Sequence, residues 1–139
     1  MIIKMKRKIH ISTDKSRLDV QLIHNYLCSE SYWAKGRPLE TVIKSIDNSL
    51  CFGVYLDQDQ IGFARVVSDF AIFAWVLDVF ILEKYRGQGY GKKLMNSIVT
   101  HESLQNLKRW GLGTADAHGL YAQFGFKSLS KPENMMEII

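Results

Sequence analysis

A chain of 139 residues, 47% of them hydrophobic, can bury a sizeable core as one domain and is too short for two. With 23% charged residues and only 2 prolines it is neither disordered nor fibrous, and its longest apolar run, 70–77, falls short of the ~20 residues that a membrane span needs. The formal net charge of +4 is matched by Lys4, Lys6, Arg7 and Lys8 alone; without interleaved aromatics this run reads as a solvated flank, not a nucleic-acid or membrane surface.

The basic start is followed by no apolar h-region, so no secretory signal is indicated and the cytoplasm is the expected compartment. Residues 8–12 alternate as a short strand and give way to the turn formers Thr13, Asp14 and Ser16. From about Asp19, Leu18, Leu22, Ile23, Tyr26 and Leu27 recur at helical spacing, and the pattern dissolves at 28–31. Cys28 falls in this helix and Cys51 in a later strand. Two cysteines without paired spacing make neither a disulfide framework nor a zinc site, so both read as small buried hydrophobes and no metal is expected.

Tyr32, Trp33, Lys35, Gly36, Arg37 and Pro38 then place two aromatics and two cations in a loop, as pocket-lining loops often do. Pro38 opens a second helix with Leu39, Val42, Ile43 and Ile46 on one face, and Asn48 and Ser49 stop it. Residues 50–56 and 61–67 form an antiparallel hairpin across 57–60, and 68–71 turn into a nearly unbroken apolar strand, 72–82, expected to be covered on both faces. A long amphipathic helix runs from Gly89 to about 101–103, and 107–114 return as a strand. Ala117, Leu120, Tyr121 and Phe124 share a face of a short helix that Gly125 can cap; Phe126 is expected to start another strand, and 135–139 could pair as a last one. The order describes a mixed α/β sheet with no internal repeat or linker.

The stretch 78–94 carries the chemistry. It starts as strand, breaks at Gly87, Gly89 and Gly91, and continues as helix, so no side chains keep a ligand's phosphates from the amides that open the helix. Arg86 adds a fork of donors, and a diphosphate is the natural guest. A P-loop would need glycine in place of Arg86 and serine or threonine in place of Lys93. The dinucleotide fingerprint would need glycine in place of Lys92 and should follow the first strand of a βαβ unit. Neither fits.

Arg86-Gly87-Gln88-Gly89-Tyr90-Gly91 instead matches [RQ]-x-x-G-x-[GA], and the stretch 119–126 carries a tyrosine, Tyr121, four residues before Gly125-Phe126. In this order, separated by one helix and one strand, the two pieces resemble the GNAT superfamily of N-acetyltransferases. The resemblance implies a mostly antiparallel α/β sheet with helices on both faces and a splayed strand pair, 72–82 and 107–114, gripping acetyl-coenzyme A. Val79, Phe80, Ile81 and Leu82 would lend backbone to pantetheine and the acetyl carbonyl. Arg86, Gly87, Gln88, Gly89, Tyr90, Gly91 and Lys92 would bind the pyrophosphate.

The implied reaction is direct transfer of acetyl to a primary amine of a small molecule, with Tyr121 as general acid toward the leaving thiolate; a purely packing Tyr121 is the alternative. Asp78 is read as base or water-orienting group, or as an ordinary hydrogen-bonded carboxylate. Asp116 and His118 are further candidates. Leu77 stands where some polyamine-acetylating relatives carry a glutamate, which argues against polyamines, and Thr114 stands where many relatives have an asparagine that contacts the cofactor arm. By the same resemblance Tyr32, Trp33 and Arg37 would wall the acceptor, an aromatic surface with a cation suited to a small acceptor with an apolar part, with or without a carboxylate; Trp33 packed on the sheet edge is the alternative. Protein or peptide acetylation and a non-catalytic acyl-coenzyme A module are the other functions in view, and a homodimer is left open.

Overall fold

Residues 7–139 are described by the computed structural model, so Lys4 and Lys6 of the basic run lie outside the described residues. Arg7 is occupied at the sheet edge, donating to Asp57 (3.0 Å), Asp59 (2.7 Å) and the Leu56 carbonyl (2.9 Å). Five strands, β1 (Ile9–Ser12), β2 (Leu50–Leu56), β3 (Asp59–Ser68), β4 (Phe73–Ile81) and β5 (Arg109–Leu112), form one sheet in chain order. Neighbours are antiparallel except β4 and β5, which are parallel. That parallel pair requires a crossover, and the amphipathic helix α3 (Tyr90–Val99) supplies it.

The remaining helices are α1 (Val20–Asn25), continued by a π-helical turn over Tyr26–Glu30, α2 (Leu39–Asp47) and α4 (His118–Ala122). Strand residues alternate between two cores, as a sheet covered on both faces requires. Cys51, Phe63 and Phe80 pack with Ile23, Leu27, Val42 and Ile46 beneath α1 and α2. Phe52, Val54, Ala64, Val66, Ala74 and Val76 pack with Leu94, Met95, Ile98 and Tyr121 beneath α3 and α4. Both cysteines are unpaired, and burial pushes the Cys51 thiol up to about 11. No helix among the described residues is long and apolar enough to cross a membrane.

The hairpin is tighter than the sequence indicates. Only Asp57 and Gln58 connect its strands, because Asp57 adopts a left-handed conformation (φ 54°) that suits a two-residue turn and that a short polar side chain tolerates. The C-terminal segment departs further from expectation. Phe126 starts no strand: its N–H bonds to the Tyr121 carbonyl (3.3 Å) and that of Gly125 to Ala122 (3.2 Å), with Gly125 at φ 94°. These two bonds form a Schellman cap that closes α4. The expected last strand is likewise absent. A 3₁₀ turn at Pro132–Asn134 interrupts the approach, and Met136, Ile138 and Ile139 extend into solvent.

β4 changes course midway. Phe63 pairs with Phe80 and Arg65 with Leu77, so Asp78 and Val79 together oppose Ala64 alone. This is a β-bulge, and Asp78 adopts φ 52° within it, a conformation that costs a non-glycine residue roughly 1 kcal/mol. β5 pairs with β4 only over Phe73–Val76, so the two strands part where the bulge begins. Gly111 of β5 lies against the Trp75 ring, leaving no room for a Cβ. Gly111→Ala should therefore force Trp75 aside and lower the unfolding free energy by roughly 1–3 kcal/mol, read as a reduced urea midpoint with an unchanged slope.

Candidate active site

Beyond Val76 the β5-facing edge of β4 has no strand partner among the described residues, and an extended ligand could add to it as a strand would. The edge leads into the glycine turn. Gly87 (φ 78°) and Gly89 (φ 81°) take left-handed conformations that open the loop, and the first bond of α3 runs from the Lys93 N–H to the Gly89 carbonyl (3.1 Å). Helical bonding thus leaves the amides just ahead of Lys93 unpaired, beside the positive end of a ten-residue helix.

Arg86 braces this loop from beneath. Its Nε donates to the Ile81 carbonyl (2.9 Å) and its Nη2 to the Tyr26 hydroxyl (2.6 Å). Tyr26 in turn stacks on Phe80, with ring centroids 3.9 Å apart and planes 11° from parallel. The π-helical turn at the end of α1 presents Tyr26 to both groups, as such turns often do at functional sites. The cradle and the first helix are therefore tied together.

Two cavities meet at the strand gap. One, about 450 Å³, runs along Val79, Phe80 and Ile81 to Arg86, Gly87, Gly89, Tyr90 and Gly91. The other, about 550 Å³, opens on the opposite side among Trp33, Arg37, Trp75, Leu77, Asp78, Leu112 and Thr114. Tyr32, Trp33, Val79, Asp116, Ala117 and Tyr121 line both. Tyr121 is 8% exposed, and its hydroxyl makes no hydrogen bond to the described residues. Burial, followed by the nearby Tyr32 and Asp116, pushes its phenol up to about 12.

Asp78 is the most enclosed acid of the site, its side chain 3% exposed. Oδ1 accepts from Trp33 Nε1 (2.9 Å); Oδ2 accepts from Arg37 Nη1 (2.9 Å) and Arg65 Nε (2.9 Å). Tyr32, edge-on to Trp33, accepts the Ala115 N–H through its hydroxyl (2.8 Å) and bridges the loop to the chain ahead of α4. Thr114 Oγ1 accepts the Ala117 N–H (3.0 Å) at the entry to that helix.

The profile of the Acetyltransferase (GNAT) domain matches residues 47–128. The chain belongs to the GNAT family of acetyltransferases. A Xanthomonas campestris structure described as a GNAT-family acetyltransferase is 48% identical with a TM-score of 0.93, covering 97% of this chain and 95% of that one. A Gibberella zeae protein described as an acetyltransferase is 27% identical over 90% of this chain and 82% of its own length. A GNAT family acetyltransferase from Elizabethkingia anophelis, solved with acetyl-CoA bound, shares the fold at a TM-score of 0.63 and 19% identity, covering 98% of this chain and 89% of that one.

Within this GNAT domain Tyr121, Val79, Phe80, Ile81, Arg86, Gly87, Gly89, Tyr90 and Gly91 converge on the first cavity, and Tyr32, Trp33, Arg37 and Asp78 on the second. Three of the residues expected to hold the cofactor do not line either. Leu82 faces the α1 side, Gln88 is exposed at the loop tip with its Oε1 accepting from the Tyr90 hydroxyl (3.3 Å), and the Lys92 side chain lies toward β1. Tyr26, which the sequence reading marks only as a helix-face residue, lines the first cavity, and Arg65, which it does not mark, holds Asp78 without lining either. Arg65 had a signal: an arginine inside the apolar run 61–67 needs a buried partner, and Asp78 is the one acid in the facing strand.

Removing the carboxylate strands two guanidiniums, of which Arg65 is only 12% exposed. Asp78→Ala should lower the unfolding free energy by roughly 3 kcal/mol, and Asp78→Ala combined with Arg65→Met by clearly less than the sum of the two single changes. Urea unfolding of the four proteins in this cycle is the measurement, and strict additivity would refute the coupling.

Proposed function

We propose that the domain transfers an acetyl group from acetyl-coenzyme A to the primary amine of a small molecule held in the second cavity, both substrates being bound together. The observation that carries this reading is the junction: Tyr121 and Val79 line the cleft that ends at the glycine cradle and also the cavity on the far side. The residues present suit the cofactor. The open amides ahead of Lys93 suit the pyrophosphate, with Arg86 bracing their loop, and the unpaired β4 edge suits an extended pantetheine arm. Bound there, acetyl-coenzyme A supplies the activated acyl group as a thioester.

The acceptor amine must be neutral to attack. An unperturbed alkylamine has a pKa of ~10.4, so its proton has to leave, and water at the open mouth beside the exposed Asp116 takes it. A bond forms between the amine nitrogen and the acetyl carbon while the carbon–sulfur bond breaks. The nitrogen gives its second proton to the same water, the departing sulfur takes one from the Tyr121 hydroxyl, and water at the open mouth returns a proton to the tyrosinate, so that the cycle closes. With its phenol pushed up to about 12, Tyr121 stays protonated across the working range and is able to donate.

Asp78 holds the site and does not exchange protons in this scheme, because three donors already occupy its two oxygens. A cavity of about 550 Å³, bridged over by Tyr32, has the size of a small-molecule site. Tyr121→Phe should lower kcat by roughly 100-fold or more while the acetyl-coenzyme A affinity measured by calorimetry stays within about twofold. In the wild type, kcat should rise with pH as the amine deprotonates, with no fall caused by Tyr121 until the pH nears about 12. Unchanged turnover in Tyr121→Phe removes the acid role, and no calorimetric binding at millimolar acetyl-coenzyme A removes the cofactor assignment.

A further inference from the structure

Charge is distributed unevenly between the two cavities. Behind the second one, two guanidiniums share a single carboxylate: Arg37 and Arg65 both bind Asp78 Oδ2, and no other acid pairs with either among the described residues. Arg65 is spent on Asp78 and the Ser49 hydroxyl (3.2 Å) and does not line the cavity. Arg37 does line it. Only its Nη1 is engaged; Nε and Nη2 make no hydrogen bond to the described residues. A half-buried guanidinium with part of its fork open, in a cluster carrying one surplus positive charge, is a receptor for a planar anion.

The opposite charge lies on a different part of the wall. Asp116 lines both cavities and so belongs to the junction, as Tyr121 does, whereas Arg37 lines only the second. Its carboxylate is exposed and makes no hydrogen bond to the described residues. The walls between are the rings of Trp33 and Trp75 with Leu77 and Leu112.

We propose that the acceptor is an amino carboxylate with an apolar body, its carboxylate on the open donors of Arg37 and its amine end at Asp116, facing Tyr121. This deepens the proposed function and rests on the second cavity being the acceptor site. An amine without a carboxylate leaves the surplus charge unanswered, and a polycation meets Arg37 as a like charge.

The test separates the carboxylate from the chemistry. Calorimetric titration of 3-phenylpropanoate and of 3-phenylpropanamide, with and without coenzyme A, reads the receptor without turnover. The carboxylate should bind at least about tenfold more tightly than the amide, as one charge-assisted hydrogen-bond pair provides. That preference should vanish in Arg37→Gln, with Arg37→Lys restoring part of it. Equal binding of the two probes by the wild type, or no binding of either at millimolar concentration, overturns the proposal, and that comparison stands even where Arg37→Gln fails to fold.

A second arm compares acetylation of L-phenylalanine and L-phenylalaninamide, extrapolated to the fully deprotonated amine. Asp116→Asn should raise KM for L-phenylalanine several-fold while leaving the 3-phenylpropanoate affinity unchanged; an unchanged KM overturns the placement of the amine. Acetylation of amines generally, without preference for the carboxylate, overturns this proposal and leaves the acetyltransferase reading standing. Carboxylate-selective binding lost in Arg37→Gln, with no transfer to any amine, leaves the carboxylate receptor standing but overturns the acetyltransferase reading and, with it, the ligand's role as acceptor.

Discussion

One carboxylate holds three distant parts of the site in place. Asp78 receives the Trp33 indole and the Arg37 guanidinium from the loop ahead of α2 and the Arg65 guanidinium from β3. Its own backbone is the left-handed residue of the β4 bulge. Two partners in this cluster are cations and the acid is almost wholly enclosed. Replacing such a cluster wholesale by apolar residues can be neutral, but removing one member leaves buried charge uncompensated. The cluster therefore specifies geometry more than it adds stability. It fixes the bulge that parts β4 from β5, and it fixes the ring that walls the resulting gap.

A second set of contacts sets the opposite end of the gap. Arg86 joins the Ile81 carbonyl to the Tyr26 hydroxyl, and Tyr26 stacks on Phe80 in β4. The first helical segment and the loop that follows it are thus each tied to β4, through Tyr26 near the cradle and through Trp33 at the bulge. Between these ties the β4 edge stays unpaired over the length in which the two cavities meet. An unpaired edge would ordinarily invite another strand. Here it lies inside a cleft, screened by Tyr32, whose hydroxyl reaches the chain ahead of α4.

Local signals in the sequence were sufficient for the elements and for the cradle. Alternation and apolar runs marked all five strands, helical spacing marked α2 and α3, and Gly87 and Gly89 marked a loop whose φ values only glycine takes easily. Errors fell where a local signal had a competing use. Phe126 is aromatic and suits a strand, yet it completes the cap of α4; Asp57 suits a longer turn, yet its left-handed backbone shortens it. The Asp78 cluster was legible only in fragments. Trp33 and Arg37 stand out together as one aromatic and cationic loop and Asp78 separately as the acid in the apolar strand, but their convergence depends on the loop crossing over the sheet, which no periodicity encodes.

The same cluster constrains what chemistry Asp78 can perform. A general base must take up a proton and release it in each cycle, and it must reach the amine that gives the proton up. Asp78 could accept a proton only by weakening bonds to two guanidiniums that have no other acid beside them among the described residues, each bond being charge-assisted and worth roughly 1.5–3 kcal/mol. Loss of that charge would also loosen Trp33 and Arg37, the groups proposed to face the acceptor. A role in positioning has no such conflict: the negative charge that orders the wall is needed throughout the cycle, and it leaves Arg37 with donors to spare. On this reasoning Asp78 serves the wall by holding Trp33, Arg37 and Arg65 in place, and its fully bonded oxygens leave the proposed proton transfers to other groups that line the junction.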